Sequence, residues 1–388
     1  MPVDSVHSPR SLNSVPRSAY VHVPFCVHRC GYCDFTVIAN RDDLIGRYLH
    51  ALELELRQTL QQPTELDTLF IGGGTPSYLP PEELERLFEL LSTWFPVTPG
   101  AEVSVECNPD GFTRDHMQVL HAAGVNRISL GVQSFTPEHL LTLERQHSPG
   151  AVALVVEQLR EVGFANISVD LIYAVPGQSL AEWRETLERA VDLRPEHVST
   201  YGLTFEKGTS FWTRRLRGGI TPADEELERD MYALAMEYLP PQGFEQYELS
   251  NFARSGFACR HNQVYWNQRP YFGIGPGAAA LIDGVRIANH RSVTTWIQRL
   301  EQGDSPVQDR EELDPELAAR EAVMLGLRQV SGISPVRFRI RHGVEVRDLA
   351  SEAYDHFVEA GWLEVVHGRL RLTVAGRFVA DTVVAEFL

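Results

Sequence analysis

Short apolar, β-branched runs recur along this chain, and a helix-like stretch follows each of them. Six are legible: AYVHVP at 19–24, LDTLFI at 66–71, EVSVE at 102–106, RISLGV at 127–132, NISVDLIY at 166–173 and HVSTYGL at 197–203. Leu49, Leu52, Leu56 and Leu60 recur at helical spacing within 44–62, and further helices are expected over 81–95, 113–123 and 180–193. Runs this apolar suit strands covered on both faces. Strand–helix alternation of this kind builds a parallel sheet with crossover helices. The expected fold class is therefore α/β, with the sheet curling into a partial (β/α)6 barrel. Barrels of this type carry their sites on the loops at the C-terminal ends of the strands.

After residue 203 the alternation stops. A helix is expected over 221–239, started by Thr221 and Pro222 and followed by acidic residues. An aromatic and polar loop follows over 242–280. From 309 the pattern becomes two helices, 314–327 and 346–359, and then a hairpin whose turn is His367-Gly368. This suggests an additional C-terminal, mainly helical, winged-helix-like domain, a fold that says little about function by itself. Four regions result: a flexible N-terminal tail (1–18), the barrel (19–240), a loop-rich extension (241–308) and the C-terminal domain (309–388).

The chain has 388 residues, 43% of them apolar, which is enough for a large core. No apolar run approaches the ~18 residues of a membrane span. The polar, proline-dotted tail lacks the apolar centre of a secretory signal. These features lead us to expect a cytoplasmic protein whose membrane association, if any, is peripheral. The net charge of −17 argues against non-specific nucleic-acid binding.

Five cysteines in such a chain do not suggest a disulfide framework. Three of them, Cys26, Cys30 and Cys33, lie in CVHRCGYCDF directly after the first strand. Three thiolates in one loop can hold three corners of a [4Fe–4S] cluster and leave the fourth iron open to a small molecule. A zinc site completed by His22 or His28 is the competing reading, although no second ligand pair is visible. Cys107 is expected to be a small buried hydrophobe, because it follows Glu106 on one strand and so faces the other way.

The string YVHVPFCVHRCGYCDF resembles the cluster loop of the radical S-adenosylmethionine (SAM) superfamily, and in particular the oxygen-independent coproporphyrinogen III oxidase family. The similarity runs from about residue 18 to the end of the chain. It implies a radical-SAM barrel in which the open iron chelates SAM. The GGGTP run after the second strand matches the family motif that meets the methionine part of SAM, which implicates Gly73, Gly74 and Thr75. Glu106, Gln133, Arg145 and Asp170 match SAM-contact positions, as does Tyr20, and Tyr32 is implied beside the adenine. A packing role is the competing reading for both tyrosines.

The family has at least two branches. One is a coproporphyrinogen III dehydrogenase that oxidatively decarboxylates two propionates. The other is a haem chaperone that hands haem to respiratory proteins. The dehydrogenase loop carries a fourth cysteine two residues after the third, where this chain has Phe35. The dehydrogenase also has a longer segment ahead of its first strand. The loop CRHNQVYW at 259–266 resembles the HNxxYW motif of the chaperone branch, which implies haem near His261. A hydrogen-bonded loop histidine is the competing reading. The expected cofactors are thus a [4Fe–4S] cluster, SAM and haem, and the expected partners are haem-receiving respiratory proteins. The dehydrogenase remains the alternative.

Overall fold

The computed structural model describes residues 15–388, so residues 1–14 of the expected tail lie outside the described residues. Strand β1 (Ser18–Val23) is anchored at once: Arg17 grips Asp67 through Nε at 3.0 Å and Nη2 at 2.9 Å. β2 (Leu66–Gly73), β3 (Val97–Cys107), β4 (Arg127–Gln133), β5 (Ile167–Tyr173) and β6 (His197–Gly202) follow in spatial order, each parallel to the one before. The six expected strands agree with these to within a few residues, except that β3 begins earlier.

The sheet continues beyond the six. β7 (Glu245–Gln246) and β8 (Asn251–Ala253) extend it past β6 as antiparallel neighbours, and β9 (Phe272–Ile274) adds a parallel strand on the outer side of β1. The sheet order is therefore β9-β1-β2-β3-β4-β5-β6-β8-β7. Residues 245–274 thus supply strands to the barrel sheet, and the sheet does not end at residue 240. Helices Ile45–Thr59, Pro81–Trp94, Arg114–Ala122, Pro149–Val162 and Leu180–Asp192 cover its outer face. The core runs between these layers, with Leu52, Leu87, Met117, Val169 and Trp183 completely shielded from water.

Two helix expectations change. The helix expected from residue 221 begins at Glu225, because Asp224 is the capping residue and accepts the Glu226 N–H at 2.9 Å. The helix expected over 346–359 is two, Val346–Leu349 and Ser351–Glu359, broken at Ala350. The C-terminal region has its own core around Leu327, Phe338, Phe357, Leu370 and Phe387. Its hairpin pairs Leu363–Val366 with Arg369–Leu372. His367 and Gly368 both have positive φ, as a two-residue hairpin turn requires. Among the described residues, no helix is long and apolar enough to cross a membrane.

Candidate functional site

β-strand side chains alternate between faces, so the register decides which of them share the barrel interior. Glu106 lies opposite Ser129, Asp170 opposite Gly131, and Ser199 opposite Asp170. All five positions line one cavity of about 870 Å³ at the C-terminal ends of the strands. The same cavity reaches Cys26, Cys30 and Cys33, as well as Tyr32, Gly73, Gly74, Thr75, Gln133 and Arg145. Eleven of the thirteen residues named from the sequence are thereby brought together. Tyr20 and His261 are not among the lining residues.

The cysteine loop is tied to the glycine loop by backbone. Gly74 N–H donates to Val23 O at 2.8 Å, and Thr75 N–H donates to Phe25 O at 2.7 Å. The Thr75 hydroxyl stands 3.4 Å from Cys26 Sγ and accepts from Asn108 Nδ2 at 2.8 Å. Burial pushes the Cys26 thiol up to about 11 and raises the Cys33 thiol as well. Metal binding must therefore release these protons.

His22 and His28 were the alternative fourth ligands. The ring of His22 is buried, with Nδ1 3.0 Å from the Tyr20 hydroxyl and Nε2 2.7 Å from Thr36 O. The carbonyl fixes Nε2 as the donor, so the tyrosine donates to Nδ1 and neither nitrogen is free for a metal. Burial holds this imidazole down at about 4. Nε2 of His28 lies 3.3 Å from Glu144, which also takes Arg214 at 3.0 Å. Among the described residues, no three His, Cys, Asp or Glu side chains are gathered as a single ion would require. Three thiols without a fourth protein ligand fit an iron–sulfur cluster with one open iron better than zinc.

Around the rest of the cavity, each polar group is held by its neighbours. Glu106 Oε2 accepts the Gly73 N–H at 2.9 Å, and burial pushes this carboxyl up to about 7. The Asp170 carboxylate accepts three serine hydroxyls: Ser129 at 2.8 Å, Ser168 at 3.0 Å and Ser199 at 2.6 Å. Arg145 Nη2 donates to Asn108 Oδ1 at 2.6 Å and to Gly131 O at 2.7 Å. Both acceptors are neutral, so the guanidinium charge is not cancelled by them. Gln133, which lines the cavity, takes positive φ although it is not glycine, as do Glu144 and Ala174, the chain neighbours of the lining residues Arg145 and Tyr173. Such backbone strain collects at functional sites.

Asn108 and the three serines are site residues that the motif reading missed. Strand alternation was the available signal: Asn108 is two residues beyond Glu106, and Ser168 is two before Asp170. Cys107 is buried in the core as expected, 3% exposed.

His261 lies below the cavity. It is 1% exposed, on a short helix, Arg260–Trp266, inserted into the barrel from its N-terminal end. Glu102 of β3 accepts the first two N–H groups of that helix, those of Arg260 and His261, each at 3.0 Å. The ring nitrogens of His261 are both engaged, Nδ1 with Thr68 Oγ1 at 2.9 Å and Nε2 with the Tyr265 hydroxyl at 2.8 Å. Burial lowers the imidazole to about 3. Phe70 stacks between Tyr20 and His261, at centroid distances of 6.2 and 5.2 Å, and Phe70 lines the cavity floor above them. Tyr20 thus supports the floor from beneath, through Phe70, and holds His22. Tyr32 packs against Phe211 at 6.1 Å while still facing the cavity.

Comparison with known proteins agrees with this geometry. The radical SAM superfamily model matches residues 20–190, and a HemN C-terminal domain model matches 313–379. The "Heme chaperone HemW" of Bacillus subtilis is 36% identical over 376 residues, covering 96% of this chain and 99% of that protein. The protein of the same name from Mycobacterium tuberculosis H37Rv is 37% identical over 379 residues, covering 96% and 95%. The chain belongs to the HemW family of the radical SAM superfamily. This chain shares the fold of the Escherichia coli coproporphyrinogen III oxidase (HemN), whose structure superposes on it with a TM-score of 0.84. That match covers 98% of this chain and 91% of the other at 24% identity.

Proposed function

We propose that this chain is a cytoplasmic haem chaperone that binds a [4Fe–4S] cluster, SAM and haem, and delivers haem to respiratory haem proteins. The observation that carries this reading over coproporphyrinogen oxidation is Phe35. It stands on the cavity wall two residues beyond Cys33, 55% exposed, where the dehydrogenase branch has a cysteine. A phenyl ring can neither ligate iron nor supply a hydrogen atom or proton. It can pack against a flat apolar ligand.

Cys26, Cys30 and Cys33 would hold the cluster. With SAM on its open iron, the cluster supplies one-electron chemistry, which belongs to the cofactor. The chain contributes position. Arg145, held by two neutral oxygens, is oriented to meet a carboxylate. The Glu106 and Asp170 carboxylates suit ribose hydroxyls or an ammonium, and the Gln133 amide can both donate and accept. His261 would ligate haem only if Arg260–Trp266 first lifted from Glu102 and freed a ring nitrogen from Thr68 or Tyr265. The floor geometry therefore favours haem higher in the cavity, with His261 as part of the support.

Anaerobic reconstitution tests this reading. Four irons per chain and saturable haem binding are expected, with Cys30→Ser losing the iron while keeping much of the fold. Unchanged iron content in Cys30→Ser would contradict the cluster assignment, and absence of haem binding by the wild-type chain would contradict the chaperone.

A further inference from the structure

The cavity runs on past Asp170 to a wall that contains none of the residues assigned above to the cluster or SAM. There Tyr232, Leu249 and Phe378 line it together with Arg328 and Arg377. Arg328 spreads over the Trp266 ring, with its guanidinium carbon 4.7 Å from the centroid. Its nearest carboxylate, Glu248, is 3.9 Å away, beyond hydrogen-bond reach. Arg377 donates from Nη1 to the neutral Gln246 Oε1 at 2.8 Å, and no ion pair joins it among the described residues. In both arginines Nε is buried and has no hydrogen-bond partner.

The two cations flank one spot: Gln246, which takes Arg377, donates to the Tyr232 hydroxyl at 3.0 Å, that hydroxyl donates to Leu249 O at 2.9 Å, and Leu249 N–H donates to Arg328 O at 3.1 Å. Glu248 is a weak counter-ion, since burial pushes its carboxyl up to about 7. Glu225, Glu228 and Asp381 also line the cavity, so the wall is not uniformly positive. What distinguishes it is a pair of guanidinium groups that line the cavity beside apolar rings, neither of them hydrogen-bonded to a carboxylate. A planar guanidinium matches a carboxylate edge to edge, and stacking on an indole holds the fork in place.

We propose that Arg328 and Arg377 form a two-point carboxylate site, and that its ligand is a flat apolar dicarboxylate whose ring lies against Tyr232, Leu249 and Phe378. Haem has this chemistry, with two propionates on one edge of an apolar macrocycle, and in naming haem the assignment rests on the chaperone reading above. It gives the HNxxYW segment a part in binding that does not use the imidazole: Trp266 carries Arg328, and Asn262 lines the cavity.

The test compares haem with haem dimethyl ester, by absorbance titration on the full-length, cluster-loaded chain. The ester keeps the iron and the ring but loses both charges. It is expected to bind the wild-type chain at least tenfold more weakly than haem. The double variant Arg328→Gln, Arg377→Gln is expected to bind haem at least tenfold more weakly, with its iron content unchanged, and to take acid and ester alike. Equal affinity of the wild-type chain for haem and its ester would overturn the site while leaving the chaperone reading intact. This arm needs no variant, so a substitution that fails to fold does not shelter the proposal. Absence of any haem binding would instead sink the chaperone reading, and the site with it.

Discussion

Gly73→Ala places a methyl group where none fits. Gly73 has φ +107°, and a Cβ built there would lie 2.4 Å from His22 Cε1. A left-handed conformation costs an L-residue about 1–2 kcal/mol. The overlap then forces the buried imidazole to move, breaking its contact with Tyr20 or Thr36, and a lost buried hydrogen bond costs about 1–3 kcal/mol. The combined loss is about 2–5 kcal/mol. Gly111 is the control. Its φ is +69° and a Cβ there meets nothing within 4 Å, so Gly111→Ala bears only the backbone penalty. Urea unfolding of the cluster-free chains gives the two stabilities, and iron content after reconstitution shows whether the cysteine loop is still held. Gly73→Ala should be less stable than Gly111→Ala by at least about 1–3 kcal/mol and should bind less iron. Equal stability losses with full iron in both would refute the argument that His22 and Gly73 together fix the loop.

Three further outcomes follow from the site. Burial raises the Glu106 carboxyl to about 7 from an ordinary 4.5. The folded chain therefore keeps a proton that the unfolded chain loses, and this group's contribution to stability falls as pH rises from about 4.5 to 7. Sulfonium-bearing SAM favours the ionised form, so its affinity should rise from pH 6 to 8 in the wild-type chain and lose that rise in Glu106→Gln, as read by calorimetry. Asn108→Ala removes the acceptor of Arg145 and the donor to Thr75, and should weaken SAM binding by about tenfold, or ~1.4 kcal/mol; unchanged affinity would remove Asn108 from the site. His261→Phe leaves the Thr68 and Tyr265 hydroxyls without their partner and should cost about 2–4 kcal/mol of stability. Its haem spectrum should match the wild type, and a shifted Soret band would instead make His261 a ligand.

The parallel strands and the eleven predicted residues that line the cavity were legible because, Arg145 aside, each lies on or just after an apolar run long enough to show its own period. Glu106 and Asp170 announce themselves as acids in such runs. The segment Arg260–Trp266 was not legible and read as loop. Seven residues are too few to show an apolar stripe, and this helix is fixed by Glu102, more than 150 residues earlier in the chain. β8 and β9 are three residues each and owe their place to pairing with β6 and β1, which no local pattern records. The location of His261 escaped for the same reason: its motif identifies a family but not which end of the barrel the segment enters. Arg328 and Arg377 gave no sequence signal, because only the packing of the C-terminal region against the barrel brings them to one wall.

The most direct measurement supplies the anaerobic, cluster-loaded chain with SAM, a reductant and coproporphyrinogen III, and follows protoporphyrinogen IX by mass. No protoporphyrinogen IX is expected, while the same preparation binds haem. Protoporphyrinogen IX formed at enzymatic rates would contradict the chaperone and make this chain a dehydrogenase despite Phe35.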